Sequence, residues 1–159
     1  MSIEALCQSD PICILKQTSL RQAATLMRRH NVGGLVVTSN QNSRQPLAVV
    51  TDRDLAIATL ADNLSPDFSV EKIMSPEIVT IEASAGIAEA ADLMNDKGVR
   101  RLVVMNEAGE VCGLVTADDI LQLLARELYS IGHLVEKQSA KLRMRGGASA
   151  SSSGRAIQL

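Results

Sequence analysis

Residues 20–37 read Leu20-Arg-Gln-Ala-Ala-Thr-Leu-Met27, Arg-Arg-His-Asn, Val32-Gly-Gly-Leu-Val-Val37. The pattern returns 67 positions later as Ile87-Ala-Glu-Ala-Ala-Asp-Leu-Met94 and Val99-Arg-Arg-Leu-Val-Val104. Self-similarity at a fixed period is the signature of a duplicated supersecondary unit. The same offset lays Ser2-Ile-Glu-Ala-Leu-Cys7 over Ser69-Val-Glu-Lys-Ile-Met74. It falls to 65 where Leu47-Ala-Val-Val-Thr51 lies over Cys112-Gly-Leu-Val-Thr116, so the first copy has the longer hairpin.

Each copy reads as a βαββα unit. Ser2 and Ser69 are candidate N-caps of short helical turns, followed by short β segments at residues 12–15 and 78–81. Leu20, Ala23, Ala24 and Met27, like Ile87, Ala90, Ala91 and Met94, fall at i, i+3, i+4 and i+7, the apolar face of an amphipathic helix. Those methionines and alanines are assigned to the core. Strands are predicted at residues 35–38, 47–51, 102–105 and 111–116, with hairpin turns at 41–44 and 107–110 and further helices beginning at Asp52 and Ala117. One such unit cannot bury both its apolar sides, and two together can. The expected fold class is therefore α+β, two βαββα units over residues 2–62 and 69–126, with a helical extension at 127–145 and a flexible tail at 146–159.

Composition fits a folded globular chain: 46% hydrophobic, 21% charged, formal net charge −2. No basic start leads into an apolar stretch, and no segment approaches the length of a membrane span. The expectation is a cytoplasmic protein with no membrane partner. Scattered basic residues, one Phe and one Tyr leave neither a basic face nor a stacking platform for nucleic acid. Cys7, Cys13 and Cys112 lack zinc spacing and are read as small buried hydrophobes; His30 and His133 are read as helix-end or surface imidazoles, so no metal is expected.

The feature common to both copies outside the core is a strand-to-helix junction, Val50-Thr51-Asp52-Arg53-Asp54 and Val115-Thr116-Ala117-Asp118-Asp119. A Thr N-cap with an acid at the third helical position approximates a capping box, and acids suit the positive end of the helix dipole. The same groups suit a ligand, the helix start and hydroxyl facing phosphate or ribose oxygens and the Asp accepting from ribose hydroxyls. Both uses are compatible. No nucleophile–base pair and no phosphate loop of the GxxxxGK[ST] type occurs, so no catalytic residue and no enzyme activity is expected.

The doubled order of helix, V-x-x-L-V-V strand, hairpin and V-T-x-x-D before a helix resembles a tandem pair of cystathionine-β-synthase (CBS) domains, a Bateman module, over residues 2–126. The resemblance implies two units related by pseudo-two-fold symmetry, with clefts for adenosine-containing ligands. AMP, ADP or ATP come first, then S-adenosylmethionine, NAD(H) or a cyclic dinucleotide. It places Thr51 with Asp54, and Thr116 with Asp119, at the ribose. It places Ile12 and Cys13, and Ile78, Val79 and Thr80, at the adenine, and Gly33, Gly34, Arg100 and Arg101 near the phosphates. Arg53 in the first junction stands where Asp118 stands in the second, so the arginines are expected at one phosphate site, and the cleft nearer Asp118 is expected to be poorer for phosphate. The implied function is regulatory, signalling to an effector protein, with a ligand-free dimerisation module as the alternative. The stripe Leu121, Leu124, Leu128, Ile131 and Val135 leads to the expectation of a homodimer, and residues 137–145 read as a solvated helix end.

Overall fold

The computed structural model describes residues 2–6, 11–40, 44–75 and 77–149, with side chains to residue 141. The chain divides into residues 1–120 and 121–159. In the first unit, β1 (Cys13–Leu15), α1 (Leu20–His30), β2 (Gly34–Thr38), β3 (Pro46–Thr51) and α2 (Asp52–Ala56, continued by one π turn, Ile57–Ala61) make the first copy. The second copy repeats them as β4 (Thr80–Glu82), α3 (Ile87–Lys97), β5 (Arg101–Met105), β6 (Val111–Thr116) and the start of α4 (Ala117–Ser149). Each copy forms a three-stranded sheet whose central strand pairs parallel with the first and antiparallel with the third. The α+β class and the duplication stand as expected.

The L-V-V core of the run is apolar because its strand is covered on both faces. Leu35 and Val37 pack under α1 with Leu20, Ala23 and Met27; Leu102 and Val104 pack with Ala90 and Met94. The intervening Val36 and Val103 meet each other with Val111, joining the two sheets. Fully burying each such aliphatic side chain contributes about 1.5–3 kcal/mol. The helical stripe is narrower than the spacing suggested: Ala24 and Ala91 are exposed, the buried face of α1 runs i, i+3, i+7, and in α3 only Ala90 and Met94 are buried, with Ile87 half-buried.

The N-terminal turns exchange partners. Ile3 is buried in the second copy's core, with Ile3 N–H donating to Ala85 and Glu4 N–H to Ala83. Val70 is buried in the first copy's core, and its N–H donates to Thr18. Ser2 and Ser69 occupy the N-cap positions but make no side-chain cap bond. Their backbones form bridges to Gly86 and Ser19 instead, so their role is pairing rather than the capping expected of them.

Cys13 is exposed and Cys112 only half-buried, which corrects their reading as buried hydrophobes. Each occupies a position whose strand neighbours, Ile14 and Val111, take the buried side. Cys7 and most of the first hairpin lie outside the described residues. In the second hairpin, Gly109 adopts φ 74° and the Asn106 side chain accepts from the Ala108 and Glu110 N–H groups. α4 takes in residues 146–149, the first four of the expected tail, and residues 150–159 lie outside the described ones.

Candidate functional site: two clefts built across the copies

The two strand-to-helix junctions have the same geometry. Thr51 Oγ1 accepts from Asp54 N–H at 3.2 Å and donates to Asp54 Oδ2 at 2.6 Å, while Thr51 N–H donates to the same Oδ2 at 2.8 Å. Thr116 and Asp119 repeat these three bonds at the same distances. Both are complete capping boxes, the kind of cap whose loss costs about 1 kcal/mol. The cap bonds fall on Oδ2 alone, and a carboxylate offers about four acceptor sites, so Oδ1 remains able to accept from a ligand hydroxyl. Each junction is tied to the loop ahead of the central strand: Asp52 N–H donates to Gly33 at 3.3 Å, and Ala117 N–H to Arg100 at 3.0 Å.

Two clefts lie beside these junctions, each drawing on both copies. The larger, about 340 Å³, joins Ile12, Gly33 and Gly34 of the first copy to Thr116, Asp118 and Asp119 of the second, with Arg101 at its wall. The smaller, about 210 Å³, joins Ile78, Val79, Arg100 and Arg101 of the second copy to Thr51 of the first. The pseudo-two-fold relation thus gives each cleft an aliphatic floor from one copy and a Thr junction from the other. Cys13 and Thr80 sit further along β1 and β4, exposed and outside both linings; Arg53 and Asp54 also lie outside them. Ile78 and Val79 reach the cleft because β4 begins two residues later than the expected strand.

The arginine loop is split in two. Arg100 Nη2 lies 3.0 Å from Asp118 Oδ1, with both side chains largely exposed. Such a pair adds little stability, but it holds Arg100 toward the second junction. Arg101 instead lies across the glycine pair, its Nη2 3.1 Å from where a Cβ on Gly33 would stand. A cation therefore reaches the cleft of Asp118, and the arginines do not gather at one site as expected: Arg101 borders both clefts, Arg100 pairs with Asp118, and Arg53 lines neither.

Sequence reasoning passed over two lining positions, His30 and Asn31, while Glu77 opens the segment 77–80 that the resemblance placed at the adenine. His30, the last residue of α1, and Asn31, its left-handed cap at φ 53°, line the larger cleft, and Glu77 lines the smaller. The equivalence of Asn31 with Gly98, both able to adopt positive φ, was the available signal. Among the described residues no group of three or more His, Cys, Asp or Glu is placed to hold a metal ion.

Duplication, exchanged turns and cross-copy clefts define a tandem α+β repeat with paired ligand clefts. The CBS domain family model matches residues 3–60 and 70–126, and the chain belongs to that family as a tandem pair. An uncharacterized protein of Methanopyrus kandleri is 32% identical over 138 residues, spanning 86% of this chain and 68% of that one. A CBS domain protein of Pyrobaculum aerophilum, solved with AMP, is 27% identical at a TM-score of 0.70, covering 79% of this chain and 99% of its own. The CBS domain pair of protein MJ0100, solved with 5′-methylthioadenosine and S-adenosylmethionine, shares the fold at 23% identity and a TM-score of 0.70, over 78% of this chain and 99% of its own.

Proposed function

We propose that this chain is a non-catalytic regulatory module that binds an adenosine-type ligand, AMP, ADP or ATP before others, and passes the signal to a partner protein in the cytoplasm. The observation that carries it is the construction of the clefts: an aliphatic floor for a base in each, and a capped helix start that presents Thr51 to the smaller and Thr116 with Asp119 to the larger, for a ribose or phosphate. The AMP complex of the Pyrobaculum relative supports the ligand class. The absence of catalysis is supported by the geometry of Asp54 and Asp119. Each is tied through Oδ2 to its own helix cap, a poor arrangement for a general acid or base that must exchange a proton.

Calorimetric titration with AMP, ADP, ATP, S-adenosylmethionine, NADH and a cyclic dinucleotide tests this. Asp54→Asn and Asp119→Asn keep an oxygen for the cap and remove the charged acceptor, a loss of about 1.5–3 kcal/mol in a hydrogen bond to a charged group. The reading predicts weaker binding of at least one nucleotide by tenfold or more in one variant or both. Wild-type protein that binds none of these ligands overturns it, and turnover of any of them overturns the non-catalytic part.

We infer also that the chain forms a homodimer through α4. Leu121, Leu124, Leu128, Ile131 and Val135 are all exposed and spaced in alternating steps of three and four, the seam of a two-stranded coiled coil. Small residues, Ala125, Gly132 and Ser139, follow one flank of this seam. Glu127 and Lys141 occupy equivalent positions on the other, and meet across two copies running antiparallel about Leu134. A second copy of the same helix is thus the complementary partner. Among the described residues no helix is long and apolar enough to cross a membrane, so the stripe does not serve as a span.

A further inference from the structure

We propose that Arg101 is a single cation shared by the two clefts, so that a phosphate-bearing ligand occupies one of them at a time; this rests on the nucleotide reading above. Arg101 opens β5, is half-buried, and borders both clefts. Its guanidinium lies over the first copy's glycines: Nη2 is 3.1 Å from the Cβ position of Gly33, and Cδ and Nε are 3.6 Å from that of Gly34. A side chain at Gly33 would crowd it, and the lack of one leaves the path between the clefts open.

The first copy offers no cation to match. The positions equivalent to Arg100 and Arg101 are Gly33 and Gly34. Arg100 is already committed to Asp118, whereas the Arg101 guanidinium makes no hydrogen bond or ion pair among the described residues. A half-buried guanidinium whose donors meet no hydrogen-bond acceptor among the described residues favours an arriving anion, although the Asp52 carboxylate stands on the same side, its Oδ2 3.4 Å from the Gly33 Cβ position.

One such cation cannot neutralise two phosphates. In the larger cleft, Asp118 and Asp119 stand beside Arg101, so a phosphate that loses Arg101 there meets two carboxylates, of which only Asp118 is paired, with Arg100. In the smaller cleft Arg100 also lines the wall, its charge shared with Asp118, and Glu77 is the one carboxylate of that lining. Phosphate therefore belongs in the cleft of Thr51, Arg100 and Arg101, and the cleft of Thr116 and Asp119 is left for an uncharged or cationic adenosyl group. By linkage, phosphate in either cleft lowers the other's affinity for phosphate by the same factor.

Calorimetry with AMP and with adenosine on the full chain tests this, using the wild type, Arg101→Gln and Gly33→Ala. The wild type is expected to bind one AMP per chain, with a second at least tenfold weaker, while adenosine fills the two clefts without that penalty. Arg101→Gln should lower AMP affinity at least tenfold, to that of adenosine, and leave adenosine affinity within about twofold, which also reports an intact fold. In Gly33→Ala the new Cβ displaces the flexible end of Arg101 from the glycine side, keeping the first AMP and weakening the second further. Two AMP molecules bound equally by the wild type, or AMP affinity unchanged in Arg101→Gln, overturns the sharing of Arg101 while the nucleotide reading stands. Failure of both AMP and adenosine to bind the wild type overturns the two together.

Discussion

Thr51 and Thr116 show how one residue serves structure and site at once. Each hydroxyl accepts from the helix and donates to the Asp three residues on, fixing the carboxylate with Oδ2 inward. The T-x-x-D spacing was readable as a cap, and the cap bonds are present at both junctions. Which cleft each junction would border was not readable, because that depends on residues from the other copy. The cysteines are a second residue-scale case. Burial pushes the Cys112 thiol above its ordinary pKa, nearby Glu4 and Glu82 adding to the rise against a backbone hydrogen bond and Arg44, so its thiolate fraction at pH 8 is below that of an ordinary thiol. Alkylation by iodoacetamide at pH 8, followed by peptide mass spectrometry, is expected to modify the exposed Cys13 several-fold faster than Cys112. Equal rates would contradict the burial difference.

At the scale of elements, α1 and α3 end alike although their last residues differ. Asn31 and Gly98, 67 positions apart, are both left-handed, at φ 53° and 63°. Nothing lies within 4 Å of a Cβ placed on Gly98, so Gly98→Ala meets no clash and pays only the left-handed backbone penalty, about 1–2 kcal/mol. Urea unfolding is expected to show that loss, whereas Asn31→Gly should be neutral or slightly stabilising. A Gly98→Ala protein as stable as the wild type would mean that the helix end does not need this conformation. Strand existence and order were legible from alternating and continuous apolar runs, and most strand ends lie within a residue of those expected. β4 was displaced because residues 78–81 are as apolar as a strand while Ile78 and Val79 are drawn aside to line a cleft.

For the whole molecule, the exposed stripe of α4 carries the prediction on assembly. Leu128 is 69% exposed, so Leu128→Lys removes no core contact within the chain. Sedimentation equilibrium is expected to show a dimer for the wild type and a monomer for Leu128→Lys, with unchanged circular dichroism. A monomeric wild type at tens of micromolar, or a variant that still dimerises, would remove α4 as the seam. The exchange of N-terminal turns also belongs to this scale. Ile3 and Val70 were readable as apolar residues of a short turn, but each buries itself in the other copy's core.

The sequence by itself determined the duplication, the order of helices and strands, the two capping boxes and the family. Each of these rests on local spacing: 3.6- or 2-residue periodicity, a cap three residues from its partner, and a repeat with one offset. The tertiary structure alone decided which turn packs on which copy, that Ala24 and Ala91 face outward, that each cleft mixes residues of the two copies, and that Arg100 turns to Asp118 while Arg101 lies over Gly33 and Gly34. The reason is physical: these outcomes depend on packing and charge contacts between segments far apart in the chain, which no local pattern encodes.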